Sequence, residues 1–147
     1  MKYKLIIDKD AEEEIVVTAH RPSLLTESIE NLVRSFSGPL DITGYRDDDM
    51  RKLALEDVEC ITVIDRRVIA VDREGRKYTL KERLRELEEI LPSYFIRINK
   101  SSIANEHRIL RFDATFNGGV DAVFSCGYRD YVSRRCFSEI RRRYEGI

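Results

Sequence analysis

The chain has 147 residues, 42% apolar and 36% charged, with 26 Lys/Arg against 27 Asp/Glu, three prolines and seven glycines. These proportions allow a packed core under a heavily ionised surface and exclude a disordered or low-complexity chain. No apolar run approaches the roughly 18 residues of a membrane helix. The opening MKYKLIIDKDAEEEI lacks the apolar stretch of about 7–15 residues that a secretory signal carries. A cytoplasmic location is therefore expected.

Tyr3 to Ile7 and Ile15 to Ala19 are short strand-like runs separated by the acidic stretch Asp8 to Glu14, which predicts a hairpin. A helix is expected over Pro22 to Phe36, because Leu25, Ile29, Leu32, Val33 and Phe36 recur at spacings of three and four. Pro22 suits its first turn and Gly38-Pro39 stops it. Gly38-Pro39 is also the best boundary in the chain. It divides a β-β-α unit, residues 1–39, from a β-rich domain, residues 40–147.

Beyond the boundary, Leu40 to Tyr45 is a predicted strand and Arg46 to Asp49 a charged turn. Val58 to Ile64 and Val68 to Asp72 are strands rich in β-branched residues, joined tightly through Asp65-Arg66-Arg67. A second turn, Arg73 to Arg76, leads into Lys77 to Thr79. Thr79 and Glu82 have capping-box spacing, so a helix is expected there, with Leu80, Leu84, Leu87 and Leu91 on one face. Pro92 ends it. Leu110, Phe112, Ala114 and Phe116 alternate with polar residues and predict a strand with one buried face. Asn117-Gly118 predicts a hairpin to Val120, Ala122 and Phe124. After Gly127, Tyr131 and Val132, Ser133 is placed to cap a last helix whose apolar face is Phe137, Ile140 and Tyr144. The fold class is mainly β with short helices, α+β overall.

Catalytic chemistry has no visible carrier. No nucleophile elbow, phosphate-binding glycine loop or dinucleotide fingerprint occurs, and neither His20 nor His107 stands in a metal-ligand cluster. No enzyme activity, cofactor, metal or small-molecule substrate is expected. Cys60, Cys126 and Cys136 form no CxxC pair and read as reduced, mostly buried thiols. Charge is uneven. Residues 1–96 hold 16 Lys/Arg and 21 Asp/Glu, a net of −5, whereas residues 97–147 hold 10 and 6, a net of +4. The C-terminal third is thus the candidate for polyanion contact. A helix-turn-helix is not expected, because the two C-terminal helices are far apart in sequence and that motif joins its helices by about 3–4 residues. DNA binding would have to use turns, strand ends or a helix start. Three basic clusters fit: Arg66-Arg67, the run from Arg97 through Asn99, Lys100, Ser101 and Ser102, and Ser133-Arg134-Arg135. On composition alone a solvated turn or cap is the favoured reading of each cluster.

The order of these pieces resembles the LytTR family of bacterial DNA-binding domains, over roughly Leu40 to Ile147. The most specific stretch is Phe95-Ile96-Arg97-Ile98-Asn99-Lys100-Ser101-Ser102-Ile103-Ala104-Asn105, supported by the preceding leucine helix and by the terminal Ser133-Arg134-Arg135. The resemblance implies an elongated stack of antiparallel sheets whose loops enter successive major grooves of double-stranded DNA at paired repeats. It implies a base contact from Arg66 or Arg67, a position at the DNA backbone or groove edge for Asn99, a base contact from Arg135, and phosphate contacts from Arg134 and Lys100. Ser101 would touch DNA or cap a turn. It also implies a regulator without the family's usual receiver domain, which needs on the order of 120 residues. Such a regulator is expected to act as a homodimer through its N-terminal unit, or under a membrane-protein partner. The competing expectation is a protein-interaction module on the same scaffold that has lost specific DNA binding.

Overall fold

The computed structural model describes residues 2–12, 14–37 and 40–145. The first element is helix α1, Leu24–Ser37. Ser23 opens it: the Thr26 N–H donates to Ser23 Oγ at 3.4 Å, and the Ser23 N–H donates to Thr26 Oγ1 at 2.9 Å. The expected boundary at Gly38-Pro39 falls outside the described residues, as does the side chain of Phe36.

The anticipated N-terminal hairpin is not formed. A turn does exist at Asp8–Ala11, closed by the Ala11 N–H on the Asp8 carbonyl at 3.2 Å. Yet Tyr3 to Ile7 and Ile15 to Ala19 carry no ladder, and their large apolar side chains are exposed. The register that this turn dictates explains why. It sets Ile7 against Glu12, Leu5 against Glu14, Lys4 against Ile15 and Lys2 against Val17. Tyr3 against Val16 is the one apolar pair in this register, so cross-strand packing gives little to stabilise a two-stranded ribbon that is marginal anyway.

Ten strands follow: β1 Asp41–Arg46, β2 Asp49–Ala54, β3 Val58–Ile64, β4 Arg67–Asp72, β5 Lys77–Leu80, β6 Phe95–Asn99, β7 Ser102–Asn105, β8 Ile109–Ala114, β9 Val120–Phe124 and β10 Arg129–Val132. Helix α2, Leu84–Ile90, lies between β5 and β6, and helix α3, Arg134–Tyr144, closes the chain. A seven-stranded antiparallel sheet has the order β2-β1-β5-β4-β3-β7-β6, and a three-stranded one the order β10-β9-β8. Among the described residues no helix is long and apolar enough to cross a membrane.

Two cores share the central strands. On one face, Leu55, Val58, Ile61, Ala70, Tyr78 and Ile103 pack with Leu84 and Leu87 of α2. On the other, Cys60, Ile98 and Ala104 pack with Ala122 and Phe124 of the smaller sheet and Ile140 of α3. β3 is therefore buried on both sides, which is why it reads as a near-continuous apolar run.

Three sequence expectations shift. The helix predicted from Thr79 starts instead at Leu84, after Arg83, whose N–H donates to Glu86 Oε1 at 3.3 Å. Tyr78, Thr79 and Leu80 are claimed by β5, which pairs Leu80 with Val68 and buries Tyr78; strand pairing with burial outweighs a surface cap. β2, at a sheet edge with a mostly exposed polar sequence, has no periodic signal. The predicted buried face of β8 is also lost. A bulge between Ile109 and Arg111 turns Leu110 to solvent while Phe112 packs on Phe137 and Tyr144, and Ala114, at the strand end, and Phe116, beyond it, are exposed. The Asn117-Gly118 turn stands where expected, with Gly118 at φ +79° and its N–H on the Thr115 carbonyl at 3.1 Å.

Gly44 of β1 marks the tightest backbone approach. A Cβ there would sit 2.7 Å from Leu53 Cδ1 and 2.8 Å from Tyr78 Cβ. Gly44→Ala should lower stability by about 1–3 kcal/mol through overpacking, read as a lower urea midpoint with an unchanged slope. A neutral result would mean that β1 can move off β5 without cost.

Candidate nucleic-acid interface

The β3–β4 connection is a two-residue turn in which Asp65 (φ 50°) and Arg66 (φ 66°) are both left-handed. This is the hairpin geometry that favours Asn-Gly. Holding a non-glycine residue there costs roughly 1–2 kcal/mol, and the sequence spends it on an arginine at the exposed tip. Arg67, the first residue of β4, is exposed beside it.

The β6–β7 turn, Lys100-Ser101, lies next to that hairpin. The Val63 N–H of β3 donates to the Ser101 carbonyl at 3.0 Å. The start of α3 is tied to the same place, because the Ser133 N–H donates to the Ile98 carbonyl at 2.8 Å. Ser133 caps α3 as expected, its Oγ accepting from the Cys136 N–H at 3.2 Å. Arg134 and Arg135 then project from the first turn, fully on the surface. The three basic segments picked out in the sequence are thus brought together by main-chain hydrogen bonds.

Asn99 does the joining. It is 1% exposed. Its Nδ2 donates to the Tyr131 carbonyl at 2.7 Å and to Asp130 Oδ1 at 3.2 Å, while its Oδ1 accepts the Ser101 N–H at 2.8 Å. Asp130 also takes the Ser102 hydroxyl at 2.5 Å and the Tyr128 hydroxyl at 3.5 Å. Since Ser102 gives its proton to Asp130, the Thr62 hydroxyl is the donor in the 2.6 Å Thr62–Ser102 bond. This corrects the expected position of Asn99 at the DNA backbone or groove edge: both ends of its amide are used inside the protein, and burial keeps them from a duplex. Asn105, at the end of the same sequence run, is likewise internal. It donates to the Leu55 and Val58 carbonyls at 3.3 and 2.9 Å and accepts from the His107 N–H at 3.0 Å. Arg97 is half-buried and pairs with Glu88 of α2 at 3.4 Å, so it braces β6 on the helix. Ser101 lends its backbone to the turn, its N–H to Asn99 and its carbonyl to Val63.

A second polar joint lies between the sheets. Glu59, fully buried on β3, accepts from the Ser125 hydroxyl and from the Cys126 N–H at 2.8 Å. Arg108 stands 3.7 Å from its other oxygen and donates to the Glu56 carbonyl at 2.7 Å. Nothing in the sequence alone distinguished Glu59 or Asp130 from surface carboxylates. The one available sign was their place inside strand-forming runs.

Electrostatics separate the surface cations. Among the described residues no carboxylate lies within ion-pair reach of Arg66, Arg67, Lys100 or Arg134, whereas Arg73, Arg76, Arg97, Arg108, Arg111 and Arg129 each have one. Arg135 has only a loose contact with Glu139 at 3.9 Å, and its side chain is 91% exposed. The cysteines offer no nucleophile. Burial is the main force holding the Cys60 thiol well above its ordinary range, with Asp130 adding to it, and burial also raises Cys126. His107 stacks on Tyr94 at 4.5 Å. Among the described residues no group of His, Cys, Asp and Glu is arranged to hold a metal.

Antiparallel sheets carrying unpaired cations on hairpin turns and at a helix start are the features of a β-sheet DNA-binding domain. The chain belongs to the LytTR family, whose model, "LytTr DNA-binding domain", matches residues 48–145. It is similar to proteins named uncharacterized HTH-type transcriptional regulators from Staphylococcus aureus. That from strain bovine RF122 / ET3-1 is 34% identical over 145 residues, and that from strain MSSA476 is 33% identical over 144, each alignment covering 97% of both chains. Among solved structures, the LytTr DNA-binding domain of a Bacillus cereus protein superposes with a TM-score of 0.65 at 24% identity, over 75% of this chain and all of that one. The relatives' HTH label does not describe the helices here, since β6 to β10 separate α2 from α3.

The Asn99 joint should be worth measuring directly. Asn99→Ala leaves the Tyr131 carbonyl, the Ser101 N–H and part of Asp130 without their partner. Urea unfolding should show a loss of about 1–3 kcal/mol. A change within error would assign the linkage to the Ser133–Ile98 bond alone.

Proposed function

We propose that this protein is a sequence-specific transcription regulator that reads paired DNA repeats, with turns rather than a recognition helix entering successive major grooves. The observation that carries the reading is the grouping of Arg66, Arg67, Lys100 and Arg134, free of carboxylate partners, on three hydrogen-bonded neighbouring segments. A fully solvated surface gains little from clustered like charges, whereas a polyanion repays them.

The roles follow from chemistry and exposure. Arg135 and Arg66 are the base readers, since an exposed guanidinium can bond guanine O6 and N7 together. Lys100 and Arg67 hold phosphates. Arg134 does the same, supported by the free N–H groups at the start of α3. Asn99 and Arg97 set the positions of these groups without touching DNA. Two copies of the domain, joined through their N-terminal segments, grip the two repeats. Bending the site to fit both costs a few kcal/mol, which the phosphate contacts offset.

Selection of bound duplexes from random DNA at moderate salt should recover a spaced repeat, and affinity should fall steeply with salt because counterions are released. Recovery of no motif, with affinity indifferent to salt, would favour a protein-interaction module instead. Arg135→Ala should weaken the selected site by about 1–3 kcal/mol and relax one base position. Equal loss on every sequence would move Arg135 to a phosphate. Lys100→Ala should weaken all sequences alike and flatten the salt slope by about one unit. Arg66→Gly should separate the two demands on its turn. Relief of the left-handed strain raises the unfolding midpoint, by roughly 1 kcal/mol at most, while affinity for the selected site drops.

A further inference from the structure

Tyr3, Leu5, Ile6, Ile7, Ile15, Val16 and Val17 are all exposed, most of them by two thirds or more. That is a large uncovered apolar surface for one short segment, and such surfaces mark association sites. The hairpin register that the Asp8–Ala11 turn would impose sets all of these residues except Tyr3 and Val16 against charges, so as a hairpin the segment covers little of itself.

A different alignment leaves a single mismatch, Tyr3 against Glu13. Laid parallel, the two runs match like with like: Lys2 meets Glu12, Lys4 meets Glu14, and Leu5, Ile6 and Ile7 meet Ile15, Val16 and Val17. A single chain cannot adopt it. Parallel neighbours need a crossover of a dozen residues or more, and only Asp8 to Ala11 separate Ile7 from Glu12. Two chains can. With a two-fold axis across the strands, the first run of each copy lies beside the second run of the other, so both parallel pairs form at once.

We infer that residues 2–17 are the contact surface for a second copy of this chain, paired in parallel between first and second runs and keyed by Lys2 and Lys4 against Glu12 and Glu14. The dimer deepens the proposed function, because it supplies two DNA-reading domains at a fixed relation. Its test reads mass alone, so it stands or falls separately from DNA recognition.

The test uses full-length chains, with masses from light scattering at micromolar concentration and low salt. The wild type should have the mass of two chains. Lys2→Glu with Lys4→Glu makes both runs acidic, and Glu12→Lys with Glu14→Lys makes both basic. Each of these variants should have the mass of one chain. Their equimolar mixture should return to the mass of two, since acidic runs then face basic ones. The substituted residues are exposed, and unchanged circular dichroism verifies that the fold persists. A monomeric wild type, variants that remain dimeric, or a mixture that stays monomeric would each overturn the pairing.

Discussion

The buried amide of Asn99 is the constraint on which the arrangement of this molecule depends. One side chain reaches three partners: the turn after β6, the strand before α3, and a carboxylate between them. An amide suits this position because it donates and accepts at once. Asp130 then gathers the hydroxyls of Ser102 on β7 and of Tyr128 just before β10, so the two sheets meet through satisfied polar groups. Burying such groups costs far more when a partner is missing than a typical bond contributes when present. The network therefore specifies one relative placement of the sheets. That placement brings the tips carrying Arg66 and Lys100 and the start of α3 to the same end of the fold.

The apolar packing would not do this alone. β3 and β7 are covered on both faces, and apolar contact is tolerant of small slides between layers. Hydrogen bonds have direction. The Glu59 joint with Ser125, Cys126 and Arg108 and the Asn99 joint with Asp130 and Tyr131 fasten the smaller sheet at two separate points. Two fastenings remove the rotation that one would leave. The β3–β4 and β6–β7 turns of the larger sheet and the start of α3 beyond the smaller one are thereby held in a fixed relation.

The N-terminal segment obeys the opposite logic. Its residue types favour strands, yet the short acidic turn sets a register in which those strands share one apolar pair, Tyr3 with Val16. A local signal that is correct in type fails when pairing demands complementarity. Thr79 gives the same lesson. Its capping-box spacing is real, but β5 takes the residue because Tyr78 and Leu80 bury apolar surface against β4. A cap is worth about 1 kcal/mol, and a buried large apolar side chain roughly 1.5–3.

The sequence by itself determined the antiparallel β-rich class, the strands β3 and β4, the Asn117-Gly118 hairpin and the Ser133 cap, because these rest on periodicity, β-branched content and turn chemistry within a few residues. It also marked the three basic clusters and the family resemblance. Tertiary structure alone decided that Asn99, Asn105 and Arg97 are internal braces while Arg66, Lys100, Arg134 and Arg135 stay open to solvent. The reason is physical: a polar side chain looks the same in sequence whether water or a buried partner receives its hydrogen bonds, and those partners lie on strands distant in the chain.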